Sequence, residues 1–121
     1  MKHEEDSLQI TCVQWFKLQY STFAPLLHHS PNGGRRNARE GKRFKDMGTR
    51  AGFPDLWLSV PRGGYHGLYI ELKSKKGTQQ DTQKRWETLS TEQGYKYVLC
   101  RSFEEFEDEI KKYFRCSEIE Q

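Results

Sequence analysis

The stretch Leu68-Tyr69-Ile70-Glu71-Leu72-Lys73 decides the fold. Leu68, Ile70 and Leu72 alternate with Tyr69, Glu71 and Lys73, and in a strand side chains two apart share a face. The pattern predicts a strand with one apolar face and a second face that sets a carboxylate beside an ammonium. Thirteen residues before Leu68 stands Asp55, at the start of another alternating run, Asp55-Leu56-Trp57-Leu58-Ser59-Val60. Between the runs, Pro61-Arg62-Gly63-Gly64-Tyr65-His66-Gly67 has the composition of a hairpin connection. Antiparallel pairing of the two runs would bring Asp55 and Glu71 together at one end.

Upstream, residues from about Glu4 to Tyr20 read as a helix, because Leu8, Cys12, Trp15 and Phe16 fall at helical spacing. Glu4, Glu5 and Asp6 occupy its first turn, where the helix dipole favours negative charge. Glu5 and Gln9, four apart, share a face, and Ser21-Thr22 with Pro25 mark the exit. Leu26-Leu27-His28-His29 reads as a short strand and Ser30-Pro31-Asn32-Gly33-Gly34 as a turn. A basic loop and a short helix from about Arg39 to Met47 follow. Downstream of Lys73, Ser74-Lys75-Lys76-Gly77 is a polar link. Thr78 with Asp81 signals a helix that runs to about Gln93, with Trp86 and Leu89 as its apolar residues. Gly94 suits the left-handed position after it. Residues Tyr95 to Cys100 read as a strand. Ser102 and Glu105 form a capping box for a last helix whose apolar stripe is Phe103, Phe106, Ile110 and Tyr113 with Phe114. The tail from about Cys116 reads as frayed. The order α-β-α-β-β-α-β-α predicts an α/β fold with a central mixed sheet flanked by helices. The unit from Leu68 to Cys100 should be a right-handed parallel crossover.

The 121 residues read as one domain, residues 1–121, with a modest core. Hydrophobic residues make up 34% and charged residues 31%, while aromatics at 13% offset the thin aliphatic content. No apolar run approaches the roughly 18 residues that span a bilayer, so no membrane association is expected. The acidic N-terminus, Met1-Lys2-His3-Glu4-Glu5-Asp6, lacks a signal-peptide apolar region. Cys12, Cys100 and Cys116 are odd in number and scattered, which suits reduced thiols in a cytoplasmic setting better than a disulfide framework or a zinc cluster.

The net charge is +3, but its distribution is uneven. Arg35, Arg36, Arg39, Lys42, Arg43, Lys45 and Arg50 stand against Glu40 and Asp46, net +5, whereas residues 103–121 carry net −4. A basic segment on an otherwise balanced chain suits a polyanion surface; the plain alternative is a solvated loop.

Asp55, Glu71 and Lys73 are the residue types that Mg²⁺-dependent hydrolysis of a phosphodiester requires. The attacking water must lose its proton, and the charge that develops on the phosphorus oxygens must be neutralised. Carboxylates and carbonyls hold the ion with positions left open for water and phosphate, and a lysine offsets developing negative charge. The main-chain carbonyl of Leu72, between Glu71 and Lys73, is a further candidate ligand. Glu-x-Lys alone is uninformative, since Glu40-Gly41-Lys42 also matches. The Glu71 instance gains weight from its alternating flank and from Pro54-Asp55 at the start of the preceding strand. The competing reading is an exposed, salt-bridged strand face.

Gly52-Phe53-Pro54-Asp55, then Ile70-Glu71-Leu72-Lys73, then Gln83, after a leading helix that carries Glu5 and Gln9, resembles the virus-type replication-repair nuclease (VRR-NUC) family. This is a branch of the PD-(D/E)xK, or restriction-endonuclease-like, nucleases. The resemblance runs from Glu5 to about Tyr113, and phage-encoded members of the family are small stand-alone domains like this one. It implies an αβββαβ core, which the element order contains. It implies a metal-dependent endonuclease acting on branched DNA, such as four-way (Holliday) junctions, in DNA repair. It also implies a homodimer, with Mg²⁺ as cofactor and Mn²⁺ as a substitute. Asp55 and Glu71 resemble the metal-binding carboxylates and Lys73 the catalytic lysine. Gln83 matches a glutamine that organises the site, although Gln79 and Gln80 compete for that role. Glu5 resembles the glutamate of the first helix, assisting the metal directly or through water; its pairing with Gln9 favours it over Glu4. Asn32 and Gly33 fall in a segment expected to approach DNA. Arg35, Arg36, Lys42 and Arg43 would grip the backbone, and Lys75 and Lys76, just after the catalytic strand, would contact phosphate.

The remaining candidates have plainer readings. His28 and His29 alternate across a strand, so at most one faces the site. Trp15, Trp57 and Trp86 read as packing groups and Cys12 as core. Two other functions compete. A non-catalytic nucleic-acid-binding module would bind DNA in a salt-dependent way regardless of Asp55. A restriction-type nuclease is disfavoured by small size and the lack of a recognition domain.

Overall fold

The computed structural model describes residues 2–30 and 38–115. The elements are α1 (Lys2–Gln19), a 3₁₀ helix (Ser21–Leu26), β1 (Leu27–His29), α2 (Ala38–Asp46), β2 (Leu56–Leu58), β3 (Leu68–Leu72), α3 (Asp81–Glu92), β4 (Lys96–Cys100) and α4 (Phe103–Arg115). The four strands form one sheet in the order β1-β2-β3-β4. The β1–β2 and β2–β3 pairs are antiparallel and β3–β4 is parallel. This is the mixed α/β sheet expected from the element order.

The alternation in β3 has the anticipated effect on one face. Leu68, Ile70 and Leu72 join Leu56, Leu58, Val98 and Cys100 in the core. Cys12 and Phe16 of α1 and Phe106, Ile110 and Tyr113 of α4 cover them, all at or below 1% exposure. Burying a side chain such as Phe16 contributes roughly 1.5–3 kcal/mol. Tyr20 stacks on Phe16 and Phe114, with ring centroids 5.2 and 4.6 Å apart. Trp15 meets Phe103 and Phe106 edge-on. These rings supply the contact area that the thin aliphatic content does not. The Tyr113 hydroxyl donates to the Val60 carbonyl at 2.6 Å, which satisfies a polar group inside the core and ties α4 to the end of the β2 segment.

The opposite face of β3 is where sequence and structure part. Tyr69 and Glu71 are buried there too, so β3 is covered on both sides. Helix α3 supplies the second layer: Trp86 contacts Tyr69 at 5.8 Å and Phe53 at 5.0 Å. The exposed, salt-bridged strand face is therefore excluded.

Boundaries differ in two informative places. The ladder of β2 is only Leu56–Leu58, which leaves Asp55 just outside it. Helix α3 starts after Gln80 rather than near Thr78, because Gln80 and Gln83 form the capping box: the Gln83 side-chain oxygen accepts from the Gln80 N–H at 2.7 Å. At the C-terminus of α3, Gly94 takes φ +91, as its position required. For α4, Ser102 caps the Glu105 N–H at 3.1 Å, while the Glu105 carboxylate reaches back to the N–H of Arg101 instead of Ser102. Cys12 and Cys100 are free and buried, and burial pushes both thiols up to about 12, so neither is a reactive thiolate. Among the described residues no helix is long and apolar enough to cross a membrane.

Candidate active site

The β2–β3 register pairs Leu56 with Ile70 and so sets Asp55 opposite Glu71. Asp55 Oδ2 accepts the Leu72 N–H at 2.7 Å, which fixes the carboxylate across the end of β3. Two further contacts fix its backbone. His29 Nδ1 on the edge strand β1 donates to the Asp55 carbonyl at 2.9 Å. Three residues before Asp55, Gly52 has φ +86 and lies against α3: a Cβ there would stand 2.6 Å from the Thr82 carbonyl. Gly52→Ala is therefore expected to cost about 2 kcal/mol of unfolding free energy, read from urea denaturation. Equal midpoints and slopes for variant and wild type would rule out that close approach.

Glu71 is fully buried. Its Oε1 accepts from the Tyr97 hydroxyl at 2.6 Å and from the Gln79 amide at 3.0 Å. That amide also donates to Glu87 Oε1 at 3.0 Å, so α3 holds it in place. Burial first, and then the bond to Glu71, pushes the Tyr97 hydroxyl well above the usual tyrosine range, so it remains a donor. Glu71 Oε2 has no hydrogen bond. Its nearest ionic partner is Lys73 Nζ at 3.6 Å. Lys73 is itself only 9% exposed.

Glu5 reaches this end of the sheet from α1. Its Oε2 accepts from the Ser74 N–H at 3.2 Å, directly after the Glu71-Lys73 strand. The turn that follows is held from β4's end by Arg101, whose Nη1 donates to the carbonyls of Ser74 and Gly77 at 2.8 and 2.6 Å. Lys73, Lys75, Lys76 and Arg101 line a cleft of about 840 Å³, with Glu4 and Leu8 on its α1 side.

Crowding of carboxylates shows in Asp55. Burial raises its pKa, the Leu72 N–H lowers it, Glu71 and Glu5 raise it, and Lys73 lowers it; the net shift is upward. Three carboxylates thus bear on one another, one of them fully buried with an oxygen that accepts no hydrogen bond. A divalent cation fits this set, since it would neutralise Asp55 and engage that Glu71 oxygen. Among the described residues no three His, Cys, Asp or Glu side chains gather closely enough to hold an ion alone. Two carboxylates, Asp55 and Glu71, would need a carbonyl such as that of Leu72, water or phosphate to complete a donor set.

The structure brings together Asp55, Glu71, Leu72, Lys73 and, through Ser74, Glu5. It places Gln83 elsewhere: its side chain closes the capping box of α3, and Gln79 is the glutamine that touches Glu71. Lys75 and Lys76 line the cleft. Lys42 pairs with Asp46 at 2.9 Å on the exposed face of α2, and the Arg43 guanidinium lies 5.6 Å from the Phe44 ring. Asn32, Gly33, Arg35 and Arg36 lie outside the described residues. The His29 ring reaches the backbone carbonyl of Asp55, not its carboxylate, and His28 is exposed. The residues that sequence reasoning missed are Tyr97, Arg101 and Glu87. Tyr97 had a usable signal: it lies on the same strand face as Tyr95, opposite the apolar Val98 and Cys100.

A mixed four-stranded sheet with an aspartate and a Glu-x-Lys at adjoining strand ends, flanked by helices, defines a PD-(D/E)xK nuclease-type fold. The VRR-NUC domain model matches residues 3–104, and the chain belongs to that nuclease-type family. A solved structure described as a VRR_NUC domain protein superposes with a TM-score of 0.83 at 30% identity, over 97% of this chain and 95% of that one. A comparison with curated proteins gives no match.

Proposed function

We propose that this protein is a Mg²⁺-dependent endodeoxyribonuclease that hydrolyses phosphodiester bonds in branched DNA, four-way junctions included, with Mn²⁺ able to substitute. The observation that carries this reading is Glu71: a carboxylate at 0% exposure with one oxygen left without a hydrogen bond, beside Asp55 and Lys73. Burying a carboxylate with one oxygen short of a hydrogen bond costs folding free energy, and sites of this kind are characteristically functional.

Asp55, Glu71 and the Leu72 carbonyl would hold the ion, with Glu5 assisting directly or through water. When bound, the ion supplies positive charge to the phosphate oxygens and makes water a stronger acid. Lys73 orients the attacking water and opposes the charge growing on phosphorus oxygens from inside a poorly solvated pocket. Gln79 and Tyr97 hold Glu71 in one rotamer, and Arg101 holds the turn carrying Lys75 and Lys76. Those lysines bind backbone phosphate, which carries no sequence information. Selectivity then comes from DNA shape and bendability. Two copies in a homodimer would place two such sites for paired cuts across a junction.

The test is a labelled four-way junction, a flap and a linear duplex, each incubated with Mg²⁺, Mn²⁺ or EDTA. Cleavage of the junction with either metal and none in EDTA is expected. Equal cleavage of all three DNAs would refute structure selectivity, and cleavage in EDTA would refute the metal. Light scattering of a particle with monomer mass at working concentration would refute the dimer.

A further inference from the structure

A second basic groove, which shares no lining residue with the lysine cleft, lies beside the Gly52–Thr82 contact. Lys45 comes from the last turn of α2, Arg50 from the loop that follows, and Arg85 from the outer face of α3; the groove is about 560 Å³ and no carboxylate lines it. Some helix cations on this surface are neutralised one turn away, as in Lys42–Asp46, Lys111–Glu107 and Lys112–Asp108. Here they are not. Among the described residues the Lys45, Arg50 and Arg85 side chains have no ion pair or hydrogen bond, and Arg85 does not pair with Asp81 one turn below. All three are exposed.

We propose that this groove binds the sugar-phosphate backbone of a DNA segment beyond the cut site; the proposal rests on the nuclease reading above. Three features fit that ligand. Three cations and no carboxylate line a groove of this size, which suits a polyanion better than a single small anion. The hydroxyls of Thr49 and Thr82 add donors of the type that backbone phosphate takes. The wall is apolar and rigid: Leu89 is 45% exposed, and the Trp86 ring is braced by Phe53 and Tyr69. That wall offers a surface for deoxyribose.

Position ties the groove to the reaction. Arg50 and Asp55 are five residues apart, so at most about 17 Å of chain separates them. At about 3.4 Å of rise per nucleotide in one strand, the groove meets DNA within roughly five nucleotides of the scissile phosphate. Arg85 likewise sits on the helix whose approach carries Gln79, the partner of Glu71. Two cationic tracts, the lysine cleft and this groove, thus lie within a short chain distance of the carboxylates. A substrate long enough to reach both is held at two points, and a branched DNA can give one arm to each.

The experiment is fluorescence anisotropy of a labelled four-way junction in EDTA, titrated at several salt concentrations. Arg50→Gln with Arg85→Gln is compared with wild type, with Arg50→Lys/Arg85→Lys, and with the single exchange Lys45→Gln. The glutamine pair should bind about tenfold more weakly at 0.1 M salt, with the slope of log affinity against log salt shallower by about two. The single exchange should flatten it by about one, and the lysine pair should stay near wild type. Lys45→Gln lies on an exposed helix face and provides the measurement should the double variant not fold. Wild-type affinity and slope in the glutamine variants would overturn the proposal. If they bind as wild type does while wild type cleaves with metal, only the groove falls. If Asp55→Asn cleaves like wild type while the slopes flatten as expected, the nuclease mechanism falls and the groove stands. A wild-type protein that binds no DNA overturns both.

Discussion

Asp55→Asn is expected to reduce junction cleavage by about 10³-fold or more and, without divalent metal, to raise thermal stability at neutral pH. Both effects come from the same carboxylate. Burial and the nearby Glu71 and Glu5 make Asp55 harder to ionise in the folded chain than in the unfolded one. The folded state therefore binds the extra proton, and its stability falls as pH rises from the unfolded value of about 3.9 through the raised folded value. Above that window the penalty is present in full. Asparagine carries no charge to penalise, and its side-chain oxygen still accepts the Leu72 N–H that Oδ2 accepts at 2.7 Å. Urea midpoints measured across acidic and neutral pH should show an extra decline for wild type that the variant lacks. A variant less stable than wild type at pH 7, or one that keeps its cleavage rate, would contradict this account of Asp55.

Lys73→Ala acts in the opposite direction on stability. Cleavage should fall by about 10²–10³-fold, the usual effect of removing a charge-stabilising donor from an active site. The metal-free fold should lose about 3 kcal/mol, because a fully buried carboxylate loses its ionic partner. The pair Glu71→Gln/Lys73→Met removes both charges and should recover most of that loss without recovering cleavage. Denaturant titrations of Glu71→Gln, Lys73→Met and the double give the coupling directly. An additive cycle would mean that the 3.6 Å separation carries no interaction.

The hairpin and its carboxylates were legible because their signals are local. Alternation in Leu68–Leu72 and Leu56–Leu58 sets the strand faces, and the loop between them sets the pairing that puts Asp55 against Glu71. The burial of Glu71 was not legible. It depends on α3 lying over the second face of β3, and α3 announces itself weakly, with Trp86 as its one large packing ring there. The glutamines show the same limit. Gln79, Gln80 and Gln83 are chemically alike, and only the helix start separates them: Gln80 and Gln83 are consumed by the capping box, which leaves Gln79 ahead of the helix and free to reach Glu71. Tyr97 and Arg101 come from β4 and its exit, brought beside β3 by a parallel pairing between segments more than 20 residues apart. A one-dimensional pattern marks such residues as strand or turn without indicating which distant group they will meet.

Whether Asp55 and Glu71 together hold a divalent cation is tested, without reference to any DNA, by calorimetric titration of Mn²⁺ into wild type, Asp55→Asn and Glu71→Gln. Saturable binding to wild type is expected, lost or weakened at least about tenfold in each variant. Indistinguishable binding curves for all three proteins would contradict such a site.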